Sequence, residues 1–123
     1  DGRPAMLLEA YSTEPYAFAP VIEGGTLMTT PLFEYLTRNL HKDHARLAAT
    51  AQYYIAEGLY AIAEKEKKPI VWAGGCVYNR IMTSYMLEKK VLVNKGIPPG
   101  DGGISAGQIA AILMSADTRN DVP

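Results

Sequence analysis

The sequence predicts an α/β fold that contains a parallel pair of strands. Short apolar runs rich in β-forming residues lie at positions 70–73 and 91–94, and an amphipathic stretch at 80–89 separates them. A strand, a helix and a second strand in this order form a parallel pair through a right-handed crossover. The Glu-Gly-Gly sequence at 23–25, between two further β-forming runs, predicts a hairpin nearer the N-terminus.

The N-terminal segment predicts a short helix over residues 4–14. Pro4 suits the first turn of a helix, where its missing N–H costs nothing, and Pro15 ends the pattern. The inward face of this helix would carry Met6, Leu7 and Ala10.

The hairpin and a second helix follow. Strands are expected at 18–22 and 26–29, on either side of the glycine-containing loop. Thr30 and Pro31 then begin a helix that runs to about residue 40, with Thr30 as its N-cap and Pro31 in the first helical position.

The longest predicted helix covers residues 43–65. Apolar residues recur there at intervals of three and four, which predicts a continuous buried stripe. The charged end at 65–68 suits the negative C-terminal end of the helix dipole. The stripe consists of Leu47, Ala51, Ile55, Leu59 and Ile62.

Two further helices complete the predicted elements. Asn79 is an N-cap candidate for the helix at 80–89, and a last helix is expected over residues 103–116. The polar residues 117–123 are expected to fray. The last helix would bury Ile109, Ile112 and Leu113.

Gly74 and Gly75 lie between the first strand of the parallel pair and the helix that follows it. Glycine permits positive φ and lets a ligand lie against the backbone, while the next helix directs unpaired N–H groups at a negative group. This arrangement holds phosphates and nucleotides in α/β proteins. The alternative is a plain strand-to-helix connection, since neither the dinucleotide fingerprint nor the P-loop spacing is present.

A second glycine-rich stretch at residues 97–108 presents one carboxylate, Asp101. Two prolines stiffen its approach, and glycines lie on both sides of the aspartate. An aspartate in such a turn can bind a hard cation of the kind that accompanies phosphates. The alternative is a plain N-cap or Asx-turn residue.

The composition is typical of a globular chain of one domain. It has 123 residues, of which 48% are hydrophobic and 20% charged, with a formal net charge of -1. This balance predicts neither nucleic-acid binding nor attraction to an anionic membrane. The single cysteine excludes an internal disulfide. No apolar run would cross a bilayer and no signal peptide is recognised, so the cytoplasm is the expected location.

Other chemically capable side chains are expected to have structural roles. His41 and His44 could share a helix face, but further zinc ligands are not nearby. Cys76 precedes a helix, yet no histidine lies close in sequence to act as a base, so a small buried cysteine is expected. Packing roles are expected for Trp72, Tyr53, Tyr54 and Tyr60.

Four blocks of the sequence resemble, in the same order, the C-terminal end of the hydrogenase maturation carbamoyltransferases, the HypF family. Residues 74–80, Gly-Gly-Cys-Val-Tyr-Asn-Arg, are similar to the family's Gly-Gly-Val-Phe-Gln-Asn-Arg. Residues 98–108 are similar to its Pro-Pro-Asn-Asp-Gly-Gly-Leu-Ala-Leu-Gly-Gln. Residues 1–10 and the His-Ala-Arg-Leu-Ala block at 44–48 extend the resemblance upstream, so that it covers nearly the whole chain.

The resemblance implies one ribonuclease-H-like lobe of the actin and hexokinase-like ATPase superfamily, with an N-terminal β-hairpin and several packed helices. Residues 1–123 would form a single domain, the C-terminal fragment of a carbamoyltransferase (Kae1-like) domain. Nucleotides bind between two lobes in such folds, so the N-terminal lobe of the same enzyme is an implied partner. We expect either an excised piece or a natural split subunit.

The activity implied by the resemblance is ATP-dependent carbamoyl transfer. Carbamate from carbamoyl phosphate reacts with ATP to give carbamoyl-adenylate and pyrophosphate, and the carbamoyl group passes to the C-terminal cysteine of the maturation protein HypE. This supplies cyanide ligands to nickel–iron hydrogenase. By resemblance, Gly74, Gly75 and Asn79 would line the adenylate, and Asp101 would hold a divalent metal, either magnesium or a transition metal.

Gly2 and Glu9 would contact the nucleoside from the other side. The resemblance implies no catalytic residue within this chain, and the isolated chain is expected to be inactive. Leu7, Tyr78 and Gly100 stand where the family has glutamate, glutamine and asparagine, and Arg3-Pro4 replaces its Gln-Ala. The side-chain hydrogen bonds of the lost glutamine and asparagine are therefore not carried over.

Two other functions remain open. The threonylcarbamoyl transferase that modifies tRNA shares the Gly-Gly and Asp-Gly features, although it would be favoured by Asn-Gly-Ala after the aspartate, where this chain has Gly102 and Gly103. Alternatively, the chain is a non-catalytic module that binds a nucleotide or a partner. An isolated lobe exposes the face meant for its missing lobe, so self-association as a homodimer is also expected.

Overall fold

The computed structural model describes residues 2–117 and confirms the α/β class. This part of the chain contains five helices and four short strands. Three 3₁₀ turns, at Glu64–Glu66, Gly75–Tyr78 and Asp101–Gly103, connect them. The elements in chain order are α1 (Arg3–Tyr11), β1 (Ile22–Glu23), β2 (Thr26–Leu27), α2 (Thr30–Arg38), α3 (His44–Ala63), β3 (Val71–Trp72), α4 (Arg80–Glu88), β4 (Leu92–Val93) and α5 (Ile104–Asp117).

The predicted parallel pair is present. β3 and β4 run parallel, with Val71 opposite Leu92 and Trp72 opposite Val93. Helix α4 forms the crossover between them, as parallel strands require a long connection. The pairing brings the loop after β3 and the loop after β4 to the same edge of the sheet.

The predicted hairpin is also present, although its strands are shorter than expected. Ile22 pairs with Leu27 and Glu23 pairs with Thr26, which leaves a two-residue loop. Gly24 and Gly25 have φ of 55° and 81°. Positive φ at both loop residues is the requirement of a type I′ turn, which glycine meets at no steric cost.

The residues before β1 do not form the predicted strand at 18–21, although the carbonyl of Val21 still accepts from the N–H of Met28 at 2.9 Å. Two N–H groups in and near this segment bond to helix α3 instead. The N–H of Tyr16 donates to Oγ1 of Thr50 at 2.8 Å. The N–H of Val21 donates to the hydroxyl of Tyr54 at 3.0 Å. Buried polar side chains of α3 therefore satisfy these two N–H groups in place of a neighbouring strand.

Helix α3 is the centre of the fold. Its N-cap is Asp43, whose Oδ1 accepts from the N–H groups of Ala45 at 2.8 Å and Arg46 at 3.1 Å. The predicted stripe is only partly correct, since Leu47 is buried but Leu59 is 39% exposed. Other elements pack around several sides of the helix, so burial spreads beyond one stripe. Its buried residues are Leu47, Ala48, Ala49, Thr50, Gln52, Tyr54, Ala56 and Gly58.

The start of helix α2 differs from the prediction by one residue. Thr29 is the N-cap, without a side-chain hydrogen bond to the helix, and Thr30 is the first helical residue. Pro31 therefore lies in the second helical position, which still falls within the turn whose N–H groups have no intrahelical partner.

The predicted inward faces of the two terminal helices are exposed, so those two predictions are wrong. In α1, Met6 is 69% exposed and Leu7 is 59% exposed, and Ala10 is exposed as well. In α5, Ile109, Ile112 and Leu113 are between 59% and 66% exposed. Periodicity identifies an apolar face, but burial requires an element to cover it. The predicted frayed tail lies outside the described residues beyond position 117.

Between residues 2 and 117, none of the helices has the combination of length and apolar character that is needed to cross a membrane.

Candidate functional site

Two open pockets lie on either side of the loop that carries Gly74 and Gly75. The first has a volume of about 750 Å³ and lies between α1, α3, the turn Gly75–Tyr78 and the start of α4. Four of the residues predicted to contact a nucleotide line it together: Gly2, Glu9, Gly75 and Asn79. These residues are far apart in sequence, so the tertiary structure brings them to one site.

The second pocket contains the other two predicted site residues, Gly74 and Asp101. Its volume is about 350 Å³, and Trp72 and Asn94 also line it. The N–H of Gly74 donates to the carbonyl of Pro99 at 2.9 Å. This bond fastens the first glycine loop to the second. It thereby holds the aspartate loop beside the end of strand β3.

Gly74 has a backbone conformation that other residues rarely adopt. Its φ of 93° and ψ of -172° lie in a region that is essentially restricted to glycine. The turn that follows, Gly75–Tyr78, changes the chain direction before α4 begins. The conformation of the loop therefore requires glycine at position 74, whether or not a ligand binds there.

Asn79 is the N-cap of α4, as predicted. Its Oδ1 accepts from the N–H of Met82 at 3.0 Å. Its Nδ2 donates to Oε1 of Gln52 on helix α3 at 2.6 Å. The side chain is therefore held at both ends, and its remaining amide hydrogen is the part that a ligand in the first pocket could use.

Glu9 reaches the same helix end from α1. Its Oε1 accepts from the backbone N–H of Arg80, the first residue of α4, at 2.9 Å. A carboxylate is stabilised at this position because the helix dipole is positive there. Gly2 lies at the start of α1, where an added Cβ would meet no atom within 4 Å.

Gln52 was not predicted as a site residue, yet it connects the walls of the first pocket. Its side chain is 4% exposed, and Nε2 donates to Oγ of Ser12 at 2.6 Å and to the carbonyl of Ala48 at 3.0 Å. A glutamine among the apolar residues of a long helix is the signal that could have identified it. A buried amide requires partners, and those partners come from other elements.

Asp101 is exposed and begins the turn Asp101–Gly103. Among residues 2–117, no three His, Cys, Asp or Glu side chains lie close enough together to hold a metal ion. A carboxylate suits a hard cation, but one carboxylate is not a complete site. Asp101 can therefore supply one ligand to a cation.

The aspartate loop is closely packed at two glycines. A Cβ at Gly103 would collide with the carbonyl oxygen of Pro98, and one at Gly100 would lie 2.5 Å from the ring of Tyr78. The backbone can follow this path only because both positions lack a side chain.

Trp72 has the expected packing role. Its Nε1 donates to Oγ1 of Thr83 at 3.0 Å, and that hydroxyl donates to the carbonyl of Val77 at 2.6 Å. The chain of bonds joins strand β3, the glycine turn and helix α4. Trp72 also lines the second pocket, so its fluorescence can report on events there.

The prediction of a buried cysteine is wrong. Cys76 is exposed and lines the first pocket, because the turn Gly75–Tyr78 directs Val77 inward instead.

His41 and His44 are both exposed, and the ring Nε2 of His44 lies 2.8 Å from the carbonyl of Leu40. Neither histidine lies among the residues that line the two pockets.

Residues 1–108 match the family model described as the second subdomain of the carbamoyltransferase Kae1-like domain of HypF. Among curated proteins, the chain is 32% identical to a probable carbamoyltransferase HypF of Methanocaldococcus jannaschii, with 93% of the chain matched. It is also 32% identical to the carbamoyltransferase HypF of Rhodobacter capsulatus, with 98% matched. In both cases the chain spans 17% of the relative's length.

The fold is similar to that in the crystal structure of T. kodakarensis HypF. The TM-score is 0.77, and the match covers 94% of this chain and 17% of the other. The sequence identity of 22% makes this a similarity of fold.

Proposed function

Since the chain belongs to the HypF carbamoyltransferase family, we propose that it is the C-terminal nucleotide-binding lobe of an ATP-dependent carbamoyltransferase. The parent enzyme would form carbamoyl-adenylate from carbamoyl phosphate and ATP. It would then transfer the carbamoyl group to the C-terminal cysteine of a HypE-like protein during maturation of nickel–iron hydrogenase. The location proposed for this enzyme is the cytoplasm.

The observation that carries the proposal is the convergence of distant residues on one pocket. Gly2 and Glu9 on one side meet Gly75 and Asn79 on the other, around a volume of about 750 Å³. This volume lies within the range of small-molecule sites, about 300–1,000 Å³. The walls between them are largely apolar, which suits the face of a nucleobase.

The chain's own residues would bind and orient the nucleotide. Gly75 has no Cβ neighbour within 4 Å, so the ligand could lie against its backbone. The remaining amide hydrogen of Asn79 would donate to a ligand oxygen. The carboxylate of Glu9 already occupies the first N–H of α4, so this helix end would face the nucleoside rather than the phosphates.

A divalent cation would be held by Asp101 together with phosphate oxygens, and would offset charge that develops on those oxygens. Gly74 links the two parts of this arrangement, because its N–H is bonded to the loop that carries the aspartate. This bond fixes how far apart the two pockets lie. That separation would determine which phosphate of the nucleotide lies beside Asp101.

The rest of the catalytic machinery is assigned to the parent protein. The chain spans 17% of its curated relatives, so the first lobe would close the nucleotide site from the other side. We expect no carbamoyl transfer by this chain alone. A chain that bound HypE or the first lobe but never a nucleotide would instead be a non-catalytic module.

Calorimetric titration of the chain with ATP and Mg²⁺ tests the proposal. We expect weak binding that Asp101→Ala abolishes, because the cation would lose its protein ligand. Glu23→Ala is the matched control, since it removes an exposed carboxylate at the hairpin, outside both pockets. Binding that survives Asp101→Ala and persists without Mg²⁺ would contradict the role of the aspartate.

If the chain does not bind ATP alone, the same titration is repeated with the preceding lobe of the parent enzyme added. Absence of binding in that complex would contradict the nucleotide site as a whole.

A further inference from the structure

We propose that Gln52 is a positioning residue of the candidate nucleotide site, and that it acts by orienting the side-chain amide of Asn79. The inference rests on the proposed function in one respect, namely that Asn79 contacts the ligand. The orientation of Asn79 itself follows from hydrogen bonds within the chain.

The amide of Gln52 can take only one orientation. The carbonyl of Ala48 accepts hydrogen bonds but cannot donate them, so the nitrogen of Gln52 must face it, at 3.0 Å. The same nitrogen donates to Oγ of Ser12 at 2.6 Å. The oxygen of Gln52 is therefore directed the other way, towards Asn79.

Asn79 is constrained in the same way from its other end. The N–H of Met82 can only donate, so Oδ1 of Asn79 must face it, at 3.0 Å. Nδ2 of Asn79 then faces Oε1 of Gln52, at 2.6 Å. Each amide has its oxygen and nitrogen assigned by a backbone group, and the two assignments agree.

One hydrogen on Nδ2 of Asn79 is used by Gln52, and the second is left for a ligand in the first pocket, which Asn79 lines. Without an acceptor at Gln52, the cap to Met82 would hold only the oxygen of Asn79. The amide plane could then rotate about that bond, and the second hydrogen would lose its direction.

Gln52 also connects this site to helix α1. Ser12 is the C-cap of α1, and its hydroxyl donates to the carbonyl of Leu8 at 2.7 Å while accepting from Gln52. The same helix carries Glu9, which contacts the first N–H of α4. Gln52 therefore lies where α1, α3 and α4 meet, and it lines the first pocket beside Asn79.

Three single variants separate positioning from stability. Gln52→Met removes the whole amide at nearly constant volume, whereas Gln52→Glu keeps an oxygen acceptor for Asn79 but loses the donor to Ala48. Thr50→Val is the matched control. Thr50 is a buried polar residue on the same helix, at 1% exposure, and it bonds to Tyr16 and Arg46 rather than to Asn79.

ATP with Mg²⁺ is titrated into each variant, in the same form of the protein that binds it in the wild type. We expect Gln52→Met to raise the Kd about tenfold, the effect of one lost directed hydrogen bond. We expect Gln52→Glu to stay within about twofold of the wild type, and Thr50→Val to leave the Kd unchanged. All three would lower the melting temperature.

A nuclear magnetic resonance measurement without ligand gives an independent readout. The side-chain NH₂ signals of Asn79, identified by their loss in Asn79→Ser, should be well dispersed in the wild type and in Gln52→Glu. They should move to the averaged position of a free amide in Gln52→Met.

An unchanged Kd in folded Gln52→Met, or a Kd in Gln52→Glu that rises as far as in Gln52→Met, would overturn the inference. If the wild type does not bind ATP in any form, the proposed function fails, and the Asn79 signals decide the positioning role alone. If Gln52→Met does not fold, the comparison of Gln52→Glu with the wild type decides it: retained Asn79 signals support the inference, and lost signals overturn it.

Discussion

The N–H of Gly74 donates a hydrogen bond to the carbonyl of Pro99, and this 2.9 Å contact joins the two glycine-rich loops of the chain. The two residues follow neighbouring parallel strands, so their loops leave the same edge of the sheet. Gly74 combines this bond with a positive φ of 93°, which sets the direction of the chain into the turn Gly75–Tyr78. The relative placement of the two candidate pockets thus depends on a backbone conformation that only glycine takes readily.

Replacement of Gly74 by alanine should therefore destabilise the chain, by roughly 1–3 kcal/mol, because the side chain makes this φ and ψ costly. Gly75→Ala is the matched control, since an added Cβ there meets nothing within 4 Å and the residue lacks a positive φ. Urea unfolding followed by Trp72 fluorescence measures both. Equal midpoints for the two variants would show that the loop tolerates another conformation.

The aspartate loop should respond differently to two alanine substitutions. Gly103→Ala drives a Cβ into the backbone carbonyl of Pro98 and should cost about 3 kcal/mol, whereas Gly100→Ala meets only the ring of Tyr78 and should cost about 1 kcal/mol.

The ring can move and the carbonyl cannot. Tyr78→Ala should accordingly remove most of the cost of Gly100→Ala and leave that of Gly103→Ala unchanged. A double-mutant cycle by thermal unfolding checks this, and rescue of both substitutions would refute the explanation.

Thr83→Val should destabilise the chain by about 1–3 kcal/mol, because it leaves the indole N–H of Trp72 and the carbonyl of Val77 without their partner. Thr83→Ser keeps the hydroxyl and serves as the control. The emission maximum of Trp72 should shift in the valine variant only. An identical shift in both variants would indicate that the methyl group, rather than the hydrogen bond, matters.

Stability should decrease at alkaline pH through Tyr85. Burial, with a contribution from the carboxylate of Glu57, raises the pKa of Tyr85 to about 12. An unfolded tyrosine ionises near pH 10, so between about pH 10 and 12 the unfolded state has lost a proton that the native state keeps. The free energy of unfolding then falls as pH rises, by at most about 1.4 kcal/mol per pH unit.

Tyr85→Phe should remove this part of the pH dependence while leaving the hydrophobic contact with Tyr53. Chemical unfolding of both proteins at pH 8, 10 and 11.5 provides the measurement. Parallel curves for the wild type and the variant over that range would exclude Tyr85 as the source.

The exposed apolar face of α5 should promote self-association at high concentration, since Ile109, Ile112 and Leu113 all lie on the surface. Ile112→Lys should lower the apparent mass in light scattering. Leu40→Lys provides the control, because Leu40 is 60% exposed but lies in the turn after α2, outside α5. A monomer in the wild type at all concentrations would contradict the prediction.

The features that sequence determined are those that depend on neighbours along the chain. The cap at Asn79 involves the N–H three residues on, and the hairpin loop needs only two glycines with positive φ. The strand–helix–strand order likewise implied the parallel pair, and four short blocks were enough to indicate the family. Each of these signals can be read from the order of residues along the chain, without knowing which of them meet in space.

Tertiary structure alone decided which residues meet across the fold. Gln52 and Ser12 are separated by 40 positions, and Glu9 and Arg80 by 71, so no local pattern links them. The sequence also did not determine which apolar faces are buried. The apolar residues of α1 and α5, and Cys76, were predicted to be buried but are exposed. A hydrogen bond or a buried surface requires a partner from elsewhere in space, and only the packed chain supplies it.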